Sequence, residues 1–206
     1  MKTILCYGDS NTWGTIPGTR RDRHPRNVRW PGALQNILGP EYHVNEEGLS
    51  GRTTILDDDF EDGRNGRKLL MPILRSHRPL DMVVLMLGTN DLKARFAFTP
   101  SDIARGAALL AGLVMQSDTG HGGKAPDILL VAPPPLTRLS DYAEEFEDGP
   151  AKSLLLGKYY RQRAAELGCG FLDAGSVITS SPQDGLHINP ENHQKLAAAV
   201  AEWIRA

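Results

Sequence analysis

The stretch Met82-Val-Val-Leu-Met-Leu87, running directly into Gly88-Thr-Asn-Asp91, decides how the rest of the chain is read. An apolar run without polar alternation describes a strand covered on both faces, the setting of a central strand in a parallel sheet. Further apolar runs lie at Thr3 to Tyr7, His43 to Glu46, Ile128 to Val131 and Phe171 to Leu172. Between them, helical patterns are expected near Pro31 to Leu38, Arg67 to Ser76, Ser101 to Met115, Ala151 to Leu167 and Pro190 to Ile204. Pro100 and Pro190 stand where a first helical turn accepts proline, with Thr99 or Ser101 and Asn189 as candidate caps. Leu196, Val200 and Ile204 give the last helix one apolar stripe. Strands alternating with helices predict an α/β fold with helices on both faces of a parallel sheet. No internal repeat or long linker divides residues 1–206, so one domain is expected.

Composition narrows the class of partner. The 206 residues are 40% hydrophobic and 23% charged, with a formal net charge of −2, enough chain to bury roughly 70% of its extended surface without disulfides or a structural metal. The charge balance offers no global basic footprint for nucleic acid. Cys6 and Cys169 lie in separate apolar segments and read as buried thiols of a reduced compartment. No Cys/His spacing suggests zinc. The apolar residues before Gly8 are too few for a signal-peptide core, and no later run is long enough to span a bilayer. A cytoplasmic protein without membrane or nucleic-acid partners is expected.

In a parallel sheet, loops at the carboxyl ends of the strands gather ligands and catalytic groups. Here those loops hold Gly8-Asp9-Ser10-Asn11, Gly48-Leu-Ser-Gly-Arg-Thr53, Gly88-Thr-Asn-Asp91, Pro133-Pro134-Pro135 and Asp184-Gly-Leu-His187. Acyl transfer by serine needs a hydroxyl, a base, a carboxylate that orients the base, and donors aimed at the developing oxyanion. Ser10 directly follows a strand end and can open a helix whose first N–H groups point into the same space, which makes it the candidate nucleophile. His187 is the candidate base, and Asp184, three residues earlier, can reach one imidazole nitrogen while the other faces Ser10. Gly51 can present an unobstructed backbone N–H, and Asn90 a side-chain amide.

The blocks Gly8-Asp-Ser10, Gly51 within Leu49-Ser-Gly-Arg-Thr-Thr54, Gly88-Thr-Asn-Asp91 and Asp184-x-x-His187 resemble, in order and spacing, the four blocks of the SGNH hydrolases, also called the GDSL lipase/esterase family. Ile4-Leu-Cys-Tyr-Gly-Asp-Ser10, Val28-Arg-Trp30 and Glu46-Glu-Gly-Leu-Ser50 are similar to its bacterial arylesterase and acyltransferase branch. The resemblance implies a three-layer α/β/α sandwich on a flavodoxin-like five-stranded parallel sheet. It implies Ser10 as nucleophile, Asp184 and His187 as its partners, and Ser10 N–H, Gly51 N–H and Asn90 as the oxyanion hole. Hydrolysis of short-acyl esters through an acyl-enzyme follows, with transfer to an alcohol wherever an alcohol outcompetes water, and with neither metal nor cofactor. A carbohydrate O-acetyl esterase using the same residues is the alternative. A non-catalytic binding module would be marked by loss of Ser10, His187 or an oxyanion donor, and none is lost.

Other motifs fail at named positions. A Gly-x-Ser-x-Gly elbow would need glycine at Thr12, and a phosphate loop begun at Gly8 would need glycine at Trp13. A calcium loop begun at Asp57 breaks at Asp62 and Lys68, so the acidic run Asp57 to Asp62 reads as a solvated loop balanced by Arg64 and Arg67. Arg20, Arg21, Arg23, Arg26 and Arg29 read as a surface loop or a subunit contact; with Trp30 they motivate an expected homo-oligomer. The remaining histidines read as surface or structural. Trp13, Phe96, Phe98, Pro134 and Ile188 are the candidate substrate-binding residues, with core packing as the competing explanation for the aromatic ones.

Overall fold

The computed structural model describes residues 1–206. Its five strands, β1 (Lys2–Gly8), β2 (Tyr42–Gly48), β3 (Met82–Met86), β4 (Asp127–Ala132) and β5 (Gly170–Asp173), form one sheet in the order β2-β1-β3-β4-β5. All four neighbouring pairs are parallel. Each expected run becomes a strand, and the run opening at Met82 occupies the middle of the sheet, as continuous apolarity requires.

Period-two alternation sorts these side chains between two cores. Ile4 and Cys6 of β1 and Val84 and Met86 of β3 point to one face, where they pack with residues of α2 (Trp30–Leu38) and α7 (Pro190–Arg205). Leu5, Tyr7, Val83 and Leu85 point to the other, against α3 (Gly66–His77), α4 (Pro100–Met115) and α6 (Leu156–Leu167). The result is the helix, sheet, helix sandwich that the resemblance implies.

Helix boundaries follow local chemistry. Thr99 accepts the Asp102 N–H while the Asp102 carboxylate takes the Thr99 N–H, a capping box with Pro100 at the first turn. Asn189 caps α7 by accepting from Asn192 N. The helix expected over Ala151 to Leu167 is broken into α5 (Gly149–Ser153) and α6. At the break Leu155 N bonds Lys152 O, three residues back, and the Ser153 hydroxyl serves the Leu136 backbone N–H across the loop. Leu154 and Leu155 are left exposed there.

The strand order reverses at β1, whose neighbours continue the chain in opposite directions, and the loops after β1 and β3 therefore separate into a crevice at their carboxyl ends. The one-turn helix α1 (Ser10–Trp13) sits at that edge.

Candidate active site

Ser10 is placed by the turn that β1 runs into. Asp9 caps α1, its Oδ1 accepting from Asn11 N at 2.9 Å, and Gly14 ends the turn at φ +90°. The turn presses on the end of β2 so closely that a Cβ at Gly48 would lie 2.5 Å from the Trp13 Cα, so only glycine fits there.

The partner groups arrive from the segment after β5. Asp184 Oδ1 accepts the backbone N–H groups of Leu186 and His187, both at 3.0 Å, and Oδ2 accepts from Gly18 N at 2.9 Å. The same Oδ2 lies 2.8 Å from His187 Nδ1, and His187 Nε2 lies 3.1 Å from Ser10 Oγ. A carboxylate can only accept, so Nδ1 carries the proton and Nε2 offers its lone pair to the serine hydroxyl. Burial pushes the Asp184 pKa up, but the His187 ring and the three backbone donors outweigh it and hold the carboxyl well below its ordinary range.

Two further side chains hold this line together. Asn11 Oδ1 accepts from Ile188 N at 3.2 Å and its Nδ2 donates to Leu186 O at 3.4 Å, clamping the histidine segment to the Ser10 turn on both sides of His187. The Tyr142 ring meets the His187 ring edge-on, with centroids 5.9 Å apart. Asn11 was not among the expected site residues, although it adjoins Ser10 in sequence; Tyr142 lies in a loop after β4 and carries no motif.

The candidate donors line the same cavity. Leu49 to Arg52 form a tight turn closed by Arg52 N to Leu49 O, with Gly51 at φ +77°, a conformation that glycine alone adopts freely. Neither the Ser10 nor the Gly51 N–H is bonded to a protein acceptor. Asn90 Nδ2 gives one hydrogen to Arg52 O at 3.1 Å and keeps the other free. Ser10, Gly51, Asn90 and His187 all line one cavity of about 320 Å³.

Charged groups make most of the remaining wall: Arg20, Glu61, Arg64, Lys93, Asp141 and Glu145, with Tyr142, Phe146 and Leu186 as its apolar part. Lys93 and Arg95 both bridge Asp58 and Glu145, tying three wall segments together. This corrects the view of the acidic run as a solvated loop: Asp57 and Glu61 pair at the surface with Lys68 and Arg64, but the Asp58 side chain is fully buried. The basic stretch divides too, since Arg23, Arg26 and Arg29 converge on Glu46 while Arg20 reaches the cavity.

None of the five expected substrate-binding residues lines this cavity. Trp13 lies under the Arg23 guanidinium and Phe96 under that of Arg95. Phe98 borders a separate groove with Ile55 and Leu109, Pro134 is buried, and Ile188 is fully buried in the α2/α7 core. Apolar side chains beside the motifs sink into a core, as Ile188 does, or pack against an arginine, as Trp13 and Phe96 do, and charged side chains supply most of the wall. No group of three or more His, Cys, Asp or Glu is arranged to hold a metal ion, and no helix is long and apolar enough to cross a membrane.

Residues 6–195 match the GDSL-like lipase/acylhydrolase family. The structure superimposes on an aryl esterase of M. smegmatis with TM-score 0.96 and 43% identity, covering 100% of this chain and 99% of that one. A carbohydrate acetylesterase of Sinorhizobium meliloti gives TM-score 0.96 and 41% identity, with 100% and 99% covered. An acetylxylan esterase of Xylanibacter ruminicola is 27% identical over 218 residues; this alignment takes in 98% of the chain and 43% of that longer protein.

Two buried carboxyls beside Ser10 behave in opposite senses with pH. The folded-state pKa of Asp184 is lowered, so its contribution to stability is full above the ordinary value of 3.8 and is lost as acid titrates the folded protein below it. Burial raises Asp9 from 3.8 to about 6 against the opposing Asn11 hydrogen bond, so its contribution is full below 3.8 and is lost as pH rises through about 6. Urea unfolding should therefore show Asp184→Asn less stable than wild type at pH 7, with a gap that holds down to about pH 4 and narrows as pH falls further. Asp9→Asn should gain on wild type between pH 4 and pH 8, by up to about 3 kcal/mol at roughly 1.4 kcal/mol per pKa unit. Gaps that do not change with pH would refute both assignments.

Proposed function

The chain belongs to the GDSL-like lipase/acylhydrolase family, and from that membership we propose that it is a carboxylic ester hydrolase that cleaves short-acyl esters, aryl esters included, through an acyl-enzyme on Ser10. The observation that carries this proposal is the unbroken line from Asp184 through His187 to Ser10, in one cavity with Gly51 and Asn90 and with unengaged N–H groups on Ser10, Gly51 and Asn90.

His187 Nε2 takes the hydroxyl proton as Ser10 Oγ attacks the ester carbonyl. The carbonyl oxygen becomes an oxyanion that receives hydrogen bonds from Ser10 N, Gly51 N and Asn90 Nδ2. Collapse breaks the ester C–O bond, and the imidazolium returns its proton to the departing alcohol. Water, deprotonated by the same nitrogen, then attacks the acyl-serine; the acid leaves and Ser10 recovers its proton. Asp184 stays ionised throughout and stabilises the imidazolium. An alcohol in place of that water yields a new ester, and acyl transfer is part of the proposal.

A second reading, esters of acetylated carbohydrates, is favoured by one observation: the cavity wall is mostly charged and polar, suited to a hydroxyl-rich alcohol portion. Two of the similar proteins are a carbohydrate acetylesterase and an acetylxylan esterase. On this reading, acetylated xylo-oligosaccharides should exceed phenyl acetate in kcat/KM by at least tenfold. Equal or lower values would leave the aryl-ester reading in place.

The protein is further proposed to act in the cytoplasm, supported by its two unpaired thiols, and as a homo-oligomer. Trp30, only 1% exposed, is unavailable for subunit contact, whereas Phe60, Leu154 and Leu155 are exposed apolar side chains. Light scattering should give a mass that is a multiple of 22.5 kDa; a particle of one chain at all concentrations would refute self-association.

A serine-directed phosphonate should add to Ser10 alone, as read by intact mass and peptide mapping. Ser10→Ala should abolish labelling and lower aryl acetate turnover by at least about 10⁴-fold. Labelling elsewhere, or turnover retained in the variant, would overturn the mechanism.

A further inference from the structure

Arg52 is a buried cation that the reaction steps do not use. The residue is 3% exposed, and its hydrogen bonds go to backbone carbonyls instead of a carboxylate: Nη1 donates to Gly8 O at 2.9 Å and to Glu47 O at 2.5 Å. The guanidinium carbon lies 4.1 Å from the centre of the Tyr7 ring, and Nε has no hydrogen-bond partner. Burying a charge without a carboxylate partner is costly. Its position offers a reason for it.

Three links run from Arg52 to the three proposed oxyanion donors. Gly8 lies two residues before Ser10, and its carbonyl also accepts from Leu49 N, so the guanidinium and the turn grip the same atom at the end of β1. Gly51 precedes Arg52 in the chain, and Arg52 N closes the Leu49 to Arg52 turn that sets the Gly51 backbone at φ +77°. The Arg52 carbonyl takes one hydrogen of the Asn90 amide and so decides where the other points. One rigid planar group thus joins the ends of β1 and β2, while its own backbone carries a turn and an amide of β3's loop.

We propose that Arg52 is the positioning residue of the oxyanion hole, its guanidinium locking the turn after β2 against the end of β1 so that Ser10 N–H, Gly51 N–H and the Asn90 amide converge on one point. The proposal rests on the ester-hydrolase reading above. It differs from simple fastening of a loop because its benefit lies in the transition state: donors displaced by a fraction of an ångström still admit the substrate but miss the tetrahedral oxygen.

The test compares wild type, Arg52→Lys and Arg52→Gln in aryl acetate hydrolysis, in inhibition by a short-chain trifluoromethyl ketone, whose serine adduct carries the oxyanion, and in thermal melting. Arg52→Lys keeps the charge without the planar fork. In both variants kcat should fall by about 10- to 100-fold with KM within twofold, and ketone affinity should fall by the same factor as kcat/KM. Because Arg52 acts through the donors, its effect on kcat should shrink when measured in an Asn90→Ala background. Wild-type kcat in folded variants, a loss confined to KM, unchanged ketone affinity, or an undiminished effect in the Asn90→Ala background would each overturn the proposal. Failure of both variants to fold would also overturn it, in favour of a purely structural arginine. Ser10→Ala in the same assay separates the two levels: retained turnover sinks the hydrolase reading, whereas an inactive Ser10→Ala beside fully active Arg52 variants sinks this inference alone.

Discussion

Asp184 is taken out of water at the edge of the sheet and kept ionised there by four hydrogen bonds, and the rest of the site is arranged around that constraint. A buried carboxylate is tolerable only when its oxygens are saturated with donors. Three of the donors are backbone N–H groups, which fold the Asp184 to His187 segment into one rigid turn and fasten the Gly18 loop to it. The fourth is the imidazole, whose tautomer and orientation are thereby settled before any substrate arrives. Asn11 completes the frame by gripping the chain on both sides of His187 from the turn that holds Ser10.

The same economy of polar groups governs the opposite side. Asp91 is buried and accepts from Thr54 N at 3.0 Å and from the Thr54 hydroxyl, so the loops after β2 and β3 are joined below the cavity by side chains of the motifs themselves. Around this floor the wall is ionic. Asp58 and Glu145 share Lys93 and Arg95, and because Glu145, Tyr142 and Phe146 belong to one segment, the ion network and the aromatic contact with His187 hold the same loop from two directions.

The fold was legible because its signals are local and periodic. Continuous apolarity marked β3, proline with a capping residue before it marked α4 and α7, and the loops after the strands could be named before their arrangement was known. The break at Leu154 and Leu155 was not legible, since it depends on Ser153 serving the distant Leu136 backbone. Ser10, Asp184, His187, Gly51 and Asn90 were selected as a group because acyl chemistry demands those types together, and the fold brings four of them to one cavity with Asp184 behind His187. The expected substrate contacts failed for a physical reason: aromatic and aliphatic side chains near a motif are drawn to the closest apolar core or under an arginine, as Ile188 and Trp13 are.

By itself, then, the sequence determined the alternation of strands and helices, the edge at which chemistry gathers, and the residue types gathered there, since each follows from periodicity or from the demands of a reaction on short segments. Only the tertiary structure decided which carboxylate would be buried and saturated, that the Arg52 guanidinium would be buried between the ends of β1 and β2, and that Arg20, Glu61, Lys93, Tyr142 and Glu145 would wall the cavity. Those outcomes depend on which distant loops meet at the reversal of strand order, and a loop's local composition carries no record of the partner it will face across a crevice.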